Sequence, residues 1–445
     1  MQFSGILRSL TNARVSGTCR YAAHSASTLI AVRNNSTYEV VVAGGGSGGI
    51  SVGCRLSDKL GAGNVAIIEP NDTHYYQPLW TLVGGGAKSL SSSAKAMKDV
   101  MPPKATWIKN EVKEIDPETN SVTLENGEKV FYKYLVVALG IKVKFEDIKG
   151  LPEAFSTPGV CSNYSPKTVE KTFNALQDFK EGNAIFTFPK PPLKCPGAPQ
   201  KIMYLADSYF RKHGKRQNAN IMFNTSGPAI FAVKKYAEAL MKVVEEKDIT
   251  LNFGLNLVEV KPDTKEAVFE KMSSPEETVS YNYEMLHVSP PCGPLDVVKS
   301  SKIADAAGFV DVNKETMQHV KYPNVFSLGD CSNIPTSKTA AAIACQNAIL
   351  SKNLLAVRAG GKAIPSYEGY TSCPLITGYN SCILAEFDFD LQPLETFPIN
   401  QGKPRWSMYY MKADVMRMIY WQMLLKGRWS GPKTFRKIMH LGMSR

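Results

Sequence analysis

The sequence predicts an α/β protein with two Rossmann-like dinucleotide-binding domains, the second inserted in the first, followed by a C-terminal amphipathic membrane-binding segment. Three observations support this prediction. A glycine-rich turn joins a strand to a helix at residues 38–56. A second alternation of strands and helices fills residues 161–290. A strand near residue 325 then resembles the strands of the first unit, which indicates that the chain returns to that unit. A basic stretch rich in Trp and Met, residues 403–445, closes the chain.

The composition is that of a multidomain globular protein with basic ends. The 445 residues, 44% of them apolar, can bury more than one core. The formal charge of +12 lies at the termini, because residues 1–38 hold four Arg and no acid, and residues 403–445 hold ten Lys or Arg and one Asp. No nucleic-acid recognition motif accompanies this charge, so we exclude nucleic acid as a partner.

Residues 1–37 have the composition of a mitochondrial transit peptide. The segment is rich in Arg and Ser, lacks acids, and places Phe3, Ile6 and Leu10 at helical spacing. An ordinary unstructured arm is the alternative. We therefore expect a mitochondrial protein and leave this segment out of the fold prediction.

The first unit opens with YEVVVAGGGSGGISVGCRL, which is typical of a strand, a tight turn and a helix. Gly44, Gly46 and Gly49 match GxGxxG, and Glu69 ends the next strand twenty residues beyond Gly49. The glycines let backbone N–H groups approach a pyrophosphate at the helix N-terminus, and the acid accepts hydrogen bonds from the ribose. We predict a dinucleotide without a 2′-phosphate, since Glu69 would repel that group.

The stretch VFSLGD indicates which dinucleotide this is. Asp330 ends it just before an Ala-rich helix. In flavoproteins with two dinucleotide domains, this carboxylate binds the ribityl hydroxyls, and the helix directs its positive end at the flavin. Lys338, at the start of that helix, is placed to stabilise negative charge on a reduced flavin. An N-cap role is the alternative for Asp330, and we predict one FAD per chain.

The second unit lacks the glycine cradle that binds NAD(P)H in related folds. Its first strand runs into PPLKCPGAPQKI (191–202), where prolines fix φ and remove N–H donors. The loop instead places Cys195 beside Lys194 and before a helix that opens near Pro199. The ammonium and the helix dipole there lower a thiol pKa, so we predict a nucleophile. The alternative is an inert core cysteine.

A redox partner for Cys195 must come from elsewhere in the chain, because the helix after the first glycine turn has no CxxxxC pair. Cys373 precedes a proline in a glycine-bounded loop and is the best candidate, with Cys161 and Cys382 as competitors. The nine cysteines show neither paired CxxC spacing nor the density of a secreted framework. We therefore predict no metal site and expect any disulfide to be catalytic.

The C-terminal segment indicates contact with a membrane surface. Its longest uncharged run, residues 418–425, is far too short to span a bilayer. In TFRKIMHLGM (434–443), apolar and basic residues fall on opposite helical faces, as an interfacial helix requires. The apolar face holds Phe435, Ile438, Met439 and Gly442, and the basic face holds Lys433, Arg436, Lys437 and His440. Apolar helices packed on the body are the alternative.

Taken together, these motifs resemble the mitochondrial sulfide:quinone oxidoreductases. The resemblance runs from about residue 38 to the C-terminus and rests on VVAGGGSGG, HYYQPLWTLVGGG, KCPGAPQKIMYL, LGDCSNIPTSKTAAA, YTSCPLITGY and MYYMKAD. It implies that Cys195 and Cys373 are a redox-active pair, bridged through sulfur on the flavin face. It also implies that the FAD site includes Ser47, Gly48, Glu69, Gln77, Val112 and Lys338.

The resemblance implies an enzyme that oxidises hydrogen sulfide with FAD. It would pass two electrons to ubiquinone and give the sulfane sulfur to a small acceptor such as glutathione or sulfite. We expect hydrosulfide to attack the bridged pair, leaving a persulfide on Cys373 and a sulfur anion on Cys195 that reduces the flavin. Lys194 and Lys201 are placed to hold anions, or are ordinary surface lysines. The expected location is the matrix side of the inner mitochondrial membrane, with the protein peripheral or monotopic.

The predicted boundaries are 1–37 for the transit peptide, 38–160 and 291–365 for the two parts of the FAD-binding domain, 161–290 for the second Rossmann-like domain, and 366–445 for a quinone and membrane region. Two other functions stay open at this point. A type II NADH:quinone oxidoreductase predicts a second GxGxxG, which this chain lacks. A non-catalytic, flavin-bound interaction protein leaves the loop cysteine unexplained.

Overall fold

The structure is a computed structural model that describes residues 36–443. All but the last two residues of the predicted transit peptide lie outside this range. The strands are β1 Ser36–Ala43, β2 Val65–Ile68, β3 Thr73–Tyr75, β4 Ala94–Ala96, β5 Thr106–Ile108, β6 Val112–Asp116, β7 Ser121–Leu124, β8 Lys129–Val137, β9 Lys142–Val143, β10 Val160–Cys161, β11 Gly182–Phe188, β12 Ala219–Thr225, β13 Thr250–Phe253, β14 Leu255–Lys261, β15 Glu266–Lys271, β16 Ser274–Asn282, β17 Met285–His287, β18 Cys292–Gly293, β19 Val325–Ser327, β20 Thr371–Gly378 and β21 Ser381–Phe387.

The helices alternate with these strands. They are α1 Ser47–Leu60, α2 Trp80–Gly84, α3 Met97–Val100, α4 Leu151–Ala154, α5 Val169–Asp178, α6 Ala198–Lys212, α7 Lys234–Glu246, α8 Asp296–Lys299, α9 Ala340–Arg358, α10 Trp406–Tyr410, α11 Met416–Ile419 and α12 Lys433–Met439. Two π-helical turns, Met411–Val415 and Tyr420–Leu424, flank α11. The α/β class that the sequence predicts is confirmed.

The first sheet is a seven-stranded sheet with a parallel nucleotide-binding half. Strands β5, β2, β1 and β8 lie side by side in parallel, β19 also pairs with β8 in parallel, and β7 and β6 extend the sheet in antiparallel fashion. Val40, Val41 and Val42 of β1 are fully buried, as expected of a strand covered on both faces. The turn after β1 therefore lies at the carboxyl edge of the sheet, where α/β folds bind ligands.

The second sheet has the all-parallel order β10, β17, β11, β12, β13. Helix α6 connects β11 to β12, and α7 connects β12 to β13, which confirms the predicted alternation. A three-stranded antiparallel sheet, β14, β15 and β16, follows β13. The chain then returns to the first sheet through β19, while the exact domain boundaries stay a prediction.

The region after α9 begins with an antiparallel hairpin of β20 and β21 that packs against α6 and α9. Cys373 lies inside β20, so the prediction of a glycine-bounded loop around it is wrong. The turn comes later, where Asn380 takes a positive φ of 62°. Pro374 is tolerated because a two-stranded ribbon has a free edge that needs no N–H donor.

The last helix packs differently from the simple two-faced prediction. Arg436, predicted on the basic face of an interfacial helix, is only 1% exposed, so it is not available to lipid and that part of the prediction is wrong. Its guanidinium bonds to Glu368 at 3.0 Å and to the carbonyl of Leu394 at 3.2 Å, which repays its burial. Phe435 and Ile438 are 45% and 65% exposed, so the apolar side of α12 faces outward.

Among the described residues, α9 alone is long and apolar enough to cross a membrane by length and composition. Its apolar window is 56% buried inside the protein. Burial of this kind is expected of a core helix. Helix α9 packs on α1 and carries Leu350 and Leu354 into the core of the first sheet.

Candidate functional site

The predicted dinucleotide turn has the close backbone approaches that require glycine. Gly44 has a φ of +102°, and a Cβ there would lie 2.5 Å from the carbonyl oxygen of Ala138. A Cβ on Gly49 would lie 1.8 Å from the carbonyl oxygen of Gly44. By contrast, a Cβ on Gly46 would meet no atom within 4 Å. The turn is therefore tight against the sheet and open on the side where a pyrophosphate is expected.

Glu69 lies beside this turn, at the carboxyl end of β2. One carboxylate oxygen accepts the backbone N–H of Gly45 at 2.8 Å, and the other accepts the N–H and the amide of Asn71 at 2.9 and 2.6 Å. The side chain is 7% exposed. The open face at Gly46 and this oriented carboxylate fit the pyrophosphate and ribose of a dinucleotide.

The other predicted residues of this site lie at different distances from the turn. Ser47 and Gly48 begin α1, and a Cβ on Gly48 would lie 3.3 Å from Leu328, just before the Asp330 turn. Gln77 is exposed in a short turn, and Val112 is buried at the start of β6. A role for Gln77 and Val112 in FAD binding stays a prediction.

Asp330 lies in a 3₁₀ turn and not directly before a helix, so the expectation of an immediate helix start is wrong. Helix α9 begins at Ala340, and its N-cap is Thr339, whose hydroxyl accepts the N–H of Ala342 at 3.1 Å. Pro335 lies between the two, and the residue before a proline disfavours the helical conformation. The N-cap alternative for Asp330 is therefore excluded.

Asp330 and Lys338 nevertheless lie together, near the loop of the second unit. The ammonium of Lys338 donates to the carbonyls of Asp330 and Ser332 at 2.7 and 3.2 Å, and burial lowers its pKa. The carboxylate of Asp330 pairs with the ammonium of Lys194 at 3.1 Å. This ion pair joins the loop that carries Cys195 to the Asp330 turn. Lys194 thus contacts the predicted flavin site.

The structure places Cys195 and Cys373 close enough for each thiol to shift the pKa of the other, and both are free thiols here. Cys195 precedes α6 with a positive φ of 54° and is partly exposed, whereas Cys373 is fully buried in β20. A Cβ on Gly197 would lie 3.4 Å from the Cβ of Cys373, so the helix start and the strand are in direct contact. The loop is held by Tyr164, whose hydroxyl donates to the carbonyl of Lys194 at 3.1 Å.

The competing cysteines lie in apolar surroundings. Cys161 donates to the carbonyl of Leu286 at 3.6 Å, and Cys382 donates to the carbonyl of Ile383 at 3.4 Å. Burial raises the pKa of both thiols to about 12. Neither thiol is therefore ionised at neutral pH.

Two buried lysines lie near enough to the thiol pair to lower the pKa of Cys195. The ammonium of Lys201 lies 3.8 Å from the sulfur of Cys195, and Lys412 donates to the carbonyl of Pro78 at 2.5 Å. The two side chains are 4% and 2% exposed. Burial and the charge of Lys201 lower the pKa of Lys412 to about 7. Lys201 was expected from the sequence to hold anions, but Lys412 was missed.

These contacts set the ionisation of the pair. The hydrogen bond from the Cys373 thiol, and then Lys201, the N–H of Gly197 and Lys412, lower the pKa of Cys195 to about 5 despite its desolvation. The hydrogen bond to Cys195 and burial raise the pKa of Cys373 well above its usual range. The site therefore holds one thiolate and one thiol at neutral pH.

A lowered thiol pKa predicts the pH profile of alkylation. In the reduced protein we expect iodoacetamide to modify Cys195 with a half-maximal rate near pH 5, since the thiolate is the reactive form. An ordinary cysteine titrates at about 8.5. The measurement is peptide mass spectrometry after brief labelling between pH 4 and 10.

The matched variants are Lys201→Met and Lys242→Met. Removing the buried ammonium at 201 shifts the profile of Cys195 to higher pH, whereas Lys242 is exposed on α7 and its loss leaves the profile unchanged. A Cys195 profile centred near 8.5 in the unsubstituted protein contradicts the assignment of the thiolate.

Comparison with known proteins identifies related sequences and folds. Residues 38–176 match the family model described as pyridine nucleotide-disulphide oxidoreductase. The chain is 56% identical over 407 residues to the mitochondrial sulfide:quinone oxidoreductase of Mus musculus, covering 92% of this chain and 90% of the mouse protein. It is 48% identical to the protein of the same name from Dictyostelium discoideum, covering 89% of this chain and 88% of that one.

A solved structure shares the fold. The sulfide:quinone oxidoreductase of the hyperthermophilic bacterium Aquifex aeolicus superposes with a TM-score of 0.77 at 19% identity, over 91% of this chain and 95% of that one. At this identity the likeness concerns the fold alone. It extends across both sheets and into the region after α9.

Proposed function

The chain belongs to the mitochondrial sulfide:quinone oxidoreductase family, and from this we propose that it oxidises hydrogen sulfide at the Cys195–Cys373 pair and transfers two electrons through FAD to ubiquinone. It is a flavin-dependent oxidoreductase, as its relatives are. The observation that supports the proposed cysteine chemistry most directly is the contact of the two thiols under two buried lysines.

We assign the flavin site to the turn and the residues that converge on it. Gly44, Gly46, Ser47, Gly48 and Gly49 would hold the pyrophosphate of one FAD, and Glu69 the adenosine ribose. Asp330 and Lys338 would hold the ribityl and pyrimidine portions, with Gln77 and Val112 as further predicted contacts. When bound, the flavin supplies a two-electron acceptor.

The protein's own residues carry the sulfur chemistry. Hydrosulfide attacks a sulfur bridge between Cys195 and Cys373, forms an S–S bond to Cys373 and breaks the bridge, so that the electron pair of the broken bond stays on Cys195. Lys201, Lys412 and the N–H of Gly197 stabilise that thiolate. Its lowered pKa makes Cys195 the better leaving group of the two.

When the persulfide on Cys373 passes its outer sulfur to a small acceptor, both cysteines are left as reduced thiols, and re-forming the bridge between them releases the two electrons that a bound flavin would accept. Cys373 is fully buried and Cys195 is partly exposed, so access is through the Cys195 side of the pair. The buried ammonium of Lys201, with the partly protonated Lys412, favours an anionic acceptor. We therefore propose glutathione thiolate or sulfite as the class of acceptor.

The residues after 402 provide the proposed membrane surface. Among the described residues, fourteen large apolar side chains are exposed, and seven of these belong to residues after 402. Basic residues are interspersed among these seven in the sequence. The exposed apolar side chains are Trp406, Tyr410, Met418, Phe435, Ile438, Leu441 and Met443. Such a surface suits anionic lipid, where the enzyme would meet an apolar quinone. The family names support a mitochondrial location, and we propose the matrix face of the inner membrane.

Membrane binding should weaken when outward apolar side chains are removed. We expect the double substitution Trp406→Ser and Ile438→Ser to lower binding to vesicles of mixed neutral and anionic phospholipid by about tenfold per side chain, from the lost apolar burial. Co-sedimentation with the vesicles measures this. The control is Val320→Ser with Ile364→Ser, which removes apolar side chains that are 62% and 55% exposed and lie outside this surface. Unchanged binding of the Trp406 and Ile438 variant contradicts the assignment.

An anaerobic titration tests the function. Sulfide added to the purified protein is expected to bleach the flavin absorbance, and NADH added separately is expected to leave it unchanged. Bleaching by NADH and not by sulfide would support the type II NADH:quinone oxidoreductase. Bleaching by neither would support a non-catalytic flavoprotein.

A further inference from the structure

The hydroxyl of Tyr420 lies between two segments of the predicted flavin site. Tyr420 begins the second π-helical turn, is 2% exposed, and packs on Tyr76 with ring centroids 4.5 Å apart. Its hydroxyl lies 2.7 Å from the hydroxyl of Ser47 and 2.6 Å from Nε2 of His74. A residue from the C-terminal region therefore contacts the first residue of α1.

The direction of these hydrogen bonds follows from their chemistry. The carbonyl of Gly45 can only accept, so Nδ1 of His74, 3.2 Å away, carries the ring proton. Burial lowers the pKa of His74 to about 4, so the neutral ring has only that one proton and Nε2 is an acceptor. Tyr420 then donates to Nε2, and Ser47 donates to the oxygen of Tyr420. The chain of bonds starts at Ser47 and ends at Gly45.

The hydrogen bonds through Tyr420 and His74 connect the two ends of the glycine turn, Gly45 and Ser47. Gly45 and Ser47 flank Gly46, the residue whose open face we assign to the pyrophosphate. The first backbone N–H groups of α1, beginning with Ser47, have no acceptor within the helix and are therefore the expected donors to an anion. The turn is thereby held in one conformation before any ligand arrives.

A second contact joins the same helix to the same region. Arg55, in the third turn of α1, donates to the carbonyl of Trp429 and to the hydroxyl of Ser430, both at 2.9 Å. It also bonds to Asn347 of α9 at 2.5 Å. Helix α1 is thus attached to the C-terminal region at its first residue and again farther along.

We propose that Tyr420 and His74 are positioning residues that hold the Gly45–Ser47 turn in its FAD-binding conformation, so that docking of residues 403–443 and retention of FAD are coupled. This inference rests on the flavin site proposed above. A turn fixed in advance loses less conformational freedom when the ligand binds, which increases affinity. The coupling is reciprocal, so bound FAD also holds the C-terminal region in place.

The test measures affinity for FAD in the protein freed of flavin. Tyr420→Phe keeps the ring and removes the hydroxyl, and it should weaken FAD binding by about tenfold, the usual effect of one lost buried hydrogen bond. Quenching of flavin fluorescence during titration gives the dissociation constant. The matched control is Tyr281→Phe, since Tyr281 lies on β16, outside the flavin site and the proposed membrane surface, and the affinity of this variant should be unchanged.

Two further measurements keep the inference falsifiable. His74→Phe removes the acceptor but keeps an aromatic ring, and the double variant with Tyr420→Phe should lose no more affinity than either single one. Trypsin cleavage after the exposed Lys426 and Arg428 should slow when FAD is added to the unsubstituted protein and not when it is added to Tyr420→Phe.

The outcomes separate this inference from the function it rests on. If the unsubstituted protein neither carries nor binds FAD, the flavin site itself is wrong. If it binds FAD and Tyr420→Phe binds equally tightly, only the positioning role is overturned. If circular dichroism shows that Tyr420→Phe does not fold, the FAD affinity of His74→Phe is the deciding measurement. An unchanged affinity of that variant also overturns the positioning role.

Discussion

Replacing Cys195 with serine is expected to abolish sulfide-dependent reduction of the flavin while leaving FAD bound. The thiolate at this position is stabilised by Cys373, Lys201 and Lys412, and a serine hydroxyl can neither bridge to Cys373 nor ionise near neutral pH. Loss of a nucleophile that acts with its neighbours as a unit lowers turnover by about a thousandfold or more. Stopped-flow absorbance of the flavin after mixing with sulfide measures this rate.

The control is Cys54→Ser, which changes a thiol on α1 outside the pair. Burial raises the pKa of Cys54, so it is no competing thiolate, and its replacement should leave the rate of flavin reduction unchanged. Retained sulfide reduction in Cys195→Ser would move the chemistry to another thiol. Loss of FAD from that variant would show that the loop has a structural role in the flavin site.

Replacing Gly49 with alanine is expected to lower the FAD content of the purified protein. The new Cβ would lie 1.8 Å from the carbonyl oxygen of Gly44, and neither atom can move away without a shift of the backbone. Overpacking of this kind costs about 1–3 kcal/mol, and more where the backbone must shift. The strain falls on the turn itself, so the FAD affinity drops by about tenfold to a hundredfold. The ratio of flavin to protein absorbance after purification measures the loss.

Gly227→Ala is the matched control for this substitution. A Cβ on Gly227 would meet its nearest atoms at 3.6 and 3.7 Å, which is ordinary van der Waals contact. This variant should retain FAD fully. A Gly49→Ala protein with an unchanged flavin content would contradict the assignment of the turn to the pyrophosphate.

The sequence predicts the two nucleotide-type units well because their evidence is local. The run after β1, the acid at the end of β2 and the proline-rich replacement at residues 189–196 each lie within a few residues of the element that they define. The prediction that Cys195 is a nucleophile is local in the same sense, because it rests on Lys194 and Pro199, which lie within four residues of it. Local pattern was also sufficient for α6 and α7.

The errors concern features that depend on packing between distant segments. A proline after Cys373 suggests a loop, but the strand partner that makes β20 a strand lies beyond the turn at Asn380. Helical periodicity places Arg436 on the basic face of an interfacial helix, yet its guanidinium is buried and bonds to Glu368 and to the carbonyl of Leu394. An amphipathic pattern predicts which residues share a face of a helix, but it does not predict what each face packs against.

Lys412 and Tyr420 were missed for the same reason. Each lies more than two hundred residues from the groups that it contacts in the body, and composition marks both as part of a surface segment. One signal was present in the sequence, since Lys412 directly follows the apolar and aromatic run MYYM, residues 408–411. A charge next to such a run is worth examining as a buried functional group.

The placement of Lys412 beside the sulfur pair bears on how a water-soluble form of this protein could be made. Truncation before residue 403 would remove the exposed apolar side chains of the C-terminal region. It would also remove Lys412 from the surroundings of the thiol pair and the Tyr420 hydroxyl that bonds to Ser47. A detergent-free preparation is better sought by exchanging outward-facing side chains such as Trp406 and Ile438 for polar ones, with the backbone left whole.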